Sequence, residues 1–177
     1  MKGSLSWLVS LGSLLLLSAC AGGLPKGITP VQNFEVDRYL GTWYEIARLD
    51  HRFERGLSNV SAEYSLKDNG QIRVLNKGLD ENGEWSEAEG RARFAREQDE
   101  GYLKVSFFGP FFGTYAVFDL DENYTQAYVA GDDRSYLWFL SRTPTVSDEQ
   151  KQAFIAQADA MGFPVGELIF VDQGLGD

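Results

Sequence analysis

Cysteine is almost missing from this chain, with Cys20 alone among 177 residues. An intrachain disulfide is therefore excluded, and so is any CxxC metal or redox motif. Histidine is as scarce. His51 stands alone in a polar stretch with Arg52, Glu54 and Arg55, and it reads as a solvated loop side chain rather than a haem or metal ligand. No Gly-x-Ser-x-Gly elbow occurs, so the usual serine nucleophile is absent too. These gaps point away from an enzyme, and no cofactor is implied. Positive charge is also short, with 16 Lys and Arg against 26 Asp and Glu and a net charge of −10. That balance argues against nucleic acid and against a basic grip on anionic lipid. The acidic run of Asp80, Glu81, Glu84, Glu87 and Glu89 lacks EF-hand spacing and reads as a solvated face.

The one long apolar run, Leu5 to Leu17, is too short for a permanent membrane span. With Lys2 ahead of it and Ser18 and Ala19 behind, it has the layout of an export signal. Leu17-Ser18-Ala19-Cys20 resembles the bacterial lipobox. The resemblance implies cleavage after residue 19 and a diacylglycerol on Cys20. Ala21 after the cysteine is similar to the outer-membrane address, which implies a lipid anchor in the outer membrane of a Gram-negative bacterium, on its periplasmic side. Residues 1–19 are thus expected to be a lipoprotein signal peptide, 20–30 a lipidated tether, and 31–177 one domain. A short tether joining the domain near the start of its first strand would turn the far end of the domain away from the attachment point.

From Trp43 onward, short alternating segments are divided by turn signals about every eight to twelve residues, the mark of an antiparallel sandwich or barrel. Strands are predicted at 42–50, 59–67, 71–79, 86–96, 102–108, 113–120, 124–130 and 135–142. Links such as Asp68-Asn69-Gly70 and Glu81-Asn82-Gly83 carry turn chemistry. Eight strands make the smallest barrel able to hold one small ligand. Ser147 with Gln150 reads as a capping box, and Phe154, Ile155, Ala158 and Met161 recur at helical spacing, so a helix should pack outside the barrel before a last short strand at 167–172.

Alternation assigns the faces. Val60, Ala62, Tyr64 and Leu66 share one side of the second strand; Ala88, Gly90, Ala92 and Phe94 share one side of the fourth; Leu103, Val105 and Phe107 share one side of the fifth. The small residues of the fourth strand suggest room in the lumen, although plain core packing remains an alternative. For the sixth strand, Tyr115 and Val117 are taken as inward.

Gly41-Thr42-Trp43-Tyr44-Glu45-Ile46-Ala47-Arg48 resembles the Gly-x-Trp signature of the lipocalin family. Tyr136 through Arg142 is similar to the family's third motif, and Leu120-Asp121-Glu122-Asn123-Tyr124 to a weakened second one that has lost its threonine. Within the family, the apolipoprotein D-like group and bacterial outer-membrane members are the nearest in pattern. The resemblance implies an all-β, eight-stranded up-and-down antiparallel barrel, with Gly41, Trp43 and Arg142 as structural motif residues at one closed rim. It also implies a binding protein rather than an enzyme. The expected ligand is an amphipathic lipid, a fatty acid or lysophospholipid, with Tyr64, Asn76, Phe94, Val105, Phe107, Tyr115 and Trp138 as wall contacts. A filled barrel serving as a structural or adhesive outer-membrane lipoprotein is the alternative. At the opposite rim, Phe53, Phe111 and Phe112 should form an apolar lip that touches lipid, a ligand tail or a second copy in a homodimer, or else a small core that only folds the loops.

Overall fold

A computed structural model describes residues 23–174. Cys20 and the signal segment lie outside the described residues. A short helix, α1 (Val36–Tyr39), precedes eight antiparallel strands. These are β1 (Gly41–Leu49), β2 (Ser58–Leu66), β3 (Ile72–Leu79), β4 (Trp85–Phe94), β5 (Tyr102–Ser106), β6 (Gly113–Leu120), β7 (Gln126–Ala130) and β8 (Leu137–Ser141). Each pairs with its sequence neighbour, and β1 meets both β8 and β2, which closes the barrel. Helix α2 (Asp148–Ala160) and β9 (Leu168–Phe170) complete the chain. The capping box at Ser147 and Gln150 is formed in both directions, so the sequence signal and the helix start coincide.

Two apolar cores result. Inside the barrel lie Trp43, Tyr64, Ile72, Val74, Ala92, Leu103, Val117, Val129 and Leu140. Outside it, under α2, lie Tyr128, Leu137, Phe139, Phe154, Ala158 and Phe163. Strands β7 and β8 are therefore buried on both faces, and they read as continuous apolar runs instead of alternating ones. Leu66, expected inside, is half exposed, because the end of β2 projects past the buried ring of Tyr64.

One irregularity shapes the site. β1 carries a bulge between Glu45 and Ala47, which shifts the alternation by one residue. Glu45 pairs with Leu140 and Arg48 with Trp138 on the inner face, while Ala47 pairs with Phe139 on the outer. Beyond the bulge β1 parts from β2, and β9 lies along it instead. Gln173 Nε2 bridges the seam by donating to the carbonyls of Glu45 and Val60 at 2.7 and 2.9 Å.

Candidate functional site

The start of β1, the β6–β7 turn and the end of β8 meet at one rim, which is closed. The Arg142 guanidinium lies 3.9 Å from the centre of the Trp43 ring and donates to the carbonyls of Arg38, Thr42 and Tyr124 at 2.8, 2.9 and 3.2 Å. Trp43 Nε1 donates to the Tyr39 carbonyl, so α1 is drawn across the floor. Gly41 has φ +93°, and a Cβ there would press on the guanidinium at 3.3 Å, which explains glycine at this position. In the weakened second motif, Asp121 accepts from the backbone N–H of Asn123, Thr125 and Gln126. The Thr125 hydroxyl also donates to it, so the turn keeps a carboxylate–hydroxyl lock without the family's threonine.

Above the floor, three phenols form a buried layer. The Tyr115 hydroxyl is 2.7 Å from that of Tyr39 and 2.8 Å from that of Tyr64. Burial raises all three pKa values, so the layer stays neutral at physiological pH. Tyr64 and Tyr115 thus form the bottom of the lumen. Tyr115 and Val117 both face inward.

Higher up, inward-facing side chains stay open to solvent. Asn76, Val105, Phe107 and Trp138 are half-buried, and Ala88, on the inner face opposite Asn76, is exposed. Phe94 faces Leu103 at the end of β4 that runs into the floor. The space above Gly90 is not empty, because a Cβ there would meet the Phe107 ring at 2.8 Å. Glycine on β4 makes a seat for an aromatic ring, and the lumen opens above it at Ala88.

The wall also carries charge that alternation does not reveal. Arg48 is 1% exposed and lies 2.7 Å from the Glu45 carboxylate. Its other guanidinium nitrogen donates to the carbonyls of Glu54 and Leu57 at 2.7 and 3.4 Å, holding the β1–β2 loop to the wall. His51, expected in solvent, is 7% exposed, with Nε2 2.9 Å from Glu54 Oε2 and its ring 5.2 Å from that of Trp138. Trp138 Nε1 donates to the same Glu54 oxygen at 3.1 Å. Burial raises the Glu45 carboxyl well above the usual range, the Glu54 charge adds to this, and Arg48 opposes it. Burial also pushes Glu54 up, but His51, Trp138 and Arg48 more than offset it and leave Glu54 lowered. An Arg inside the apolar run Ile46–Leu49, three residues after a Glu, was the available signal for this cluster.

The loops β1–β2, β3–β4, β5–β6 and β7–β8 surround the open end. Phe53, Phe108 and Phe111 are exposed there, and so is Trp85 at the start of β4. Phe112 departs from the lip. It is half-buried, with its ring under Arg91 and Arg93 on the outer face of β4. Among the described residues, no group of His, Cys, Asp and Glu could hold a metal ion.

A closed eight-stranded barrel, plugged at one end by Arg on Trp and open at the other, with one helix alongside, defines a lipocalin. The chain belongs to that family: the Lipocalin-like domain pattern matches residues 34–173. It is 54% identical over 161 residues to the outer membrane lipoprotein Blc of Vibrio cholerae, covering 90% of this chain and 94% of that protein. It is 54% identical over 160 residues to Blc of Escherichia coli, covering 89% and 90%. Rat apolipoprotein D is 37% identical over 130 residues, covering 68% and 67%. Among solved structures, insecticyanin from the tobacco hornworm Manduca sexta superposes with a TM-score of 0.67 at 20% identity, over 85% of this chain and 86% of that one, a likeness of fold.

Proposed function

We propose that the protein is a lipid-anchored carrier that binds an amphipathic lipid, a fatty acid or lysophospholipid, in its barrel without transforming it. The relatives named as outer membrane lipoproteins and the lipobox around Cys20 support the anchor. They also support a place at the outer membrane, which this reading takes on the periplasmic side. The observation that carries the binding reading is the gradient along the lumen, sealed at the floor and solvent-accessible at Asn76, Ala88, Val105 and Trp138. The tail descends toward Val105, Phe107, Leu103 and the Tyr64–Tyr115 layer, with Phe94 beside Leu103, and is held by burial of its apolar area, about 25 cal/mol per Å². The headgroup stays at the level of Asn76 and Trp138, where an indole and an amide suit a polar end above an apolar one. Catalysis is not part of this reading: Arg48 pairs with Glu45 and holds a loop carbonyl, and His51 pairs with Glu54.

Titration of delipidated protein with palmitate or lysophosphatidylcholine tests this. A saturable change in tryptophan emission is expected, and it should vanish in Trp138→Phe while binding persists. No saturable binding of either lipid would favour the filled-barrel alternative.

A further inference from the structure

The chain ahead of the barrel does not leave from the floor. Val31 is hydrogen-bonded to the backbone of Val117 and Gly101 and packs against the inner core, and from there the chain passes outside, where Ile28 is buried in the core under α2. Lys26 is then held at the other end of the molecule, because its carbonyl accepts from Arg134 of the β7–β8 mouth loop at 2.5 Å, and Arg134 also holds the Met161 carbonyl at 2.8 Å. Part of the expected free tether is therefore docked. It runs from the floor toward the mouth instead of leaving beside the start of β1.

Cys20 is six residues from Lys26, and six residues span at most about 20 Å. The nine-residue β1 is about 30 Å long, so the remaining chain is too short to carry an anchor from Lys26 past the floor. A membrane that holds Cys20 therefore does not lie beyond the floor, and the aromatic side chains at the mouth favour that end. The mouth presents Phe53, Phe108 and Phe111 on two loops and Trp85 at the first residue of β4, all more than half exposed. Exposed aromatic rings gathered at one end mark a contact surface, and indole suits the boundary between headgroups and acyl chains. The charges facing that plane are mixed. Arg52 lies over the Phe53 ring and Arg55 is paired with Asp50, while Glu81 and Glu84 are exposed on the β3–β4 hairpin. Attraction to anionic lipid is therefore not what would hold the mouth down.

We propose that the aromatic lip of Phe53, Trp85, Phe108 and Phe111 inserts into the same membrane leaflet that holds Cys20, so that the mouth opens onto that leaflet. The inference rests on the anchored-carrier reading above, and in particular on the lipid at Cys20. Lipid then moves between leaflet and lumen without crossing water, and docking is apolar, with little dependence on salt.

The test uses protein extracted from bacterial membranes and reconstituted in phosphatidylcholine vesicles with brominated acyl chains. Trp85 reports the lip as the difference between the parent and Trp85→Phe, and Leu66→Trp in the Trp85→Phe background reports the floor as its difference from Trp85→Phe alone, so that Trp43 and Trp138 cancel. Leu66 is half exposed, so the variant should fold. Trp85 emission should be quenched several-fold more strongly than that of Trp at 66, and Phe108→Ser with Phe111→Ser should remove most of the difference. Equal quenching at both ends, stronger quenching at the floor, or none at either overturns the docking. The mass of the N-terminal peptide separates the two readings. A chain without diacylglycerol on Cys20 overturns the anchor and the docking with it, whereas a lipidated chain with unquenched Trp85 overturns the docking alone.

Discussion

Arg142 illustrates how one side chain serves two kinds of contact at once. Its guanidinium is stacked on Trp43 and divided among three carbonyls. Together these are worth about 3 kcal/mol. Arg142→Ala should cost roughly that much in urea unfolding, and Arg142→Lys should recover only part of it, because an ammonium cannot reproduce the fork. Glu45 gives a different prediction. Its folded pKa is raised by burial above the unfolded value of about 4.3, so its stabilising contribution is complete below that value and is lost as pH rises toward the folded one. Glu45→Gln should therefore gain stability relative to the parent across that window and level off above it. A pH-independent difference between their unfolding midpoints would contradict the assignment. Glu54, with its pKa lowered, acts in a separate window: its contribution is present above the unfolded value and is lost as pH falls through the folded one. The floor residues Gly41, Trp43 and Arg142 were legible in the sequence, because their spacing is a family pattern. Arg48 and His51 were not, because a bulge moves one inward and a loop folds the other under Phe53 and Trp138.

At the scale of elements, strand count and the outer helix could be read from alternation and capping chemistry, whereas the up-and-down strand order came with the family resemblance. The helix start is a test of that reading. Ser147→Ala removes the hydroxyl that accepts from the Gln150 N–H and should cost about 1 kcal/mol, measured by thermal or urea unfolding. Strand β4 shows where alternation misleads. Its small inner residues suggested room, yet Gly90 is covered by the Phe107 ring, and only Ala88 above it faces open solvent. Gly90→Ala should therefore destabilise the barrel by about 1–3 kcal/mol, the range for overpacking, whereas Ala88→Ser should be nearly neutral in unfolding. The seam between β1 and β2 was not foreseeable either. Gln173, just past the segment expected as a final strand, closes it with two hydrogen bonds.

For the whole molecule, the barrel and its chain ends combine into an orientation. The plug at Trp43 and Arg142 closes one end of the barrel, and Lys26 is held by Arg134 at the other. A net charge of −10 gives the chain little grip on anionic headgroups, so in the docking proposed above the apolar lip and a lipid on Cys20 would set its distance and tilt. The central claim, that the lumen holds an amphipathic lipid, is tested most directly by native mass spectrometry of the full chain extracted from bacterial membranes. The expected result is one non-covalent lipid of single-chain mass on top of the covalently modified protein, exchangeable for added palmitate or lysophospholipid. A chain that is empty on extraction and still empty after both lipids are added would contradict it.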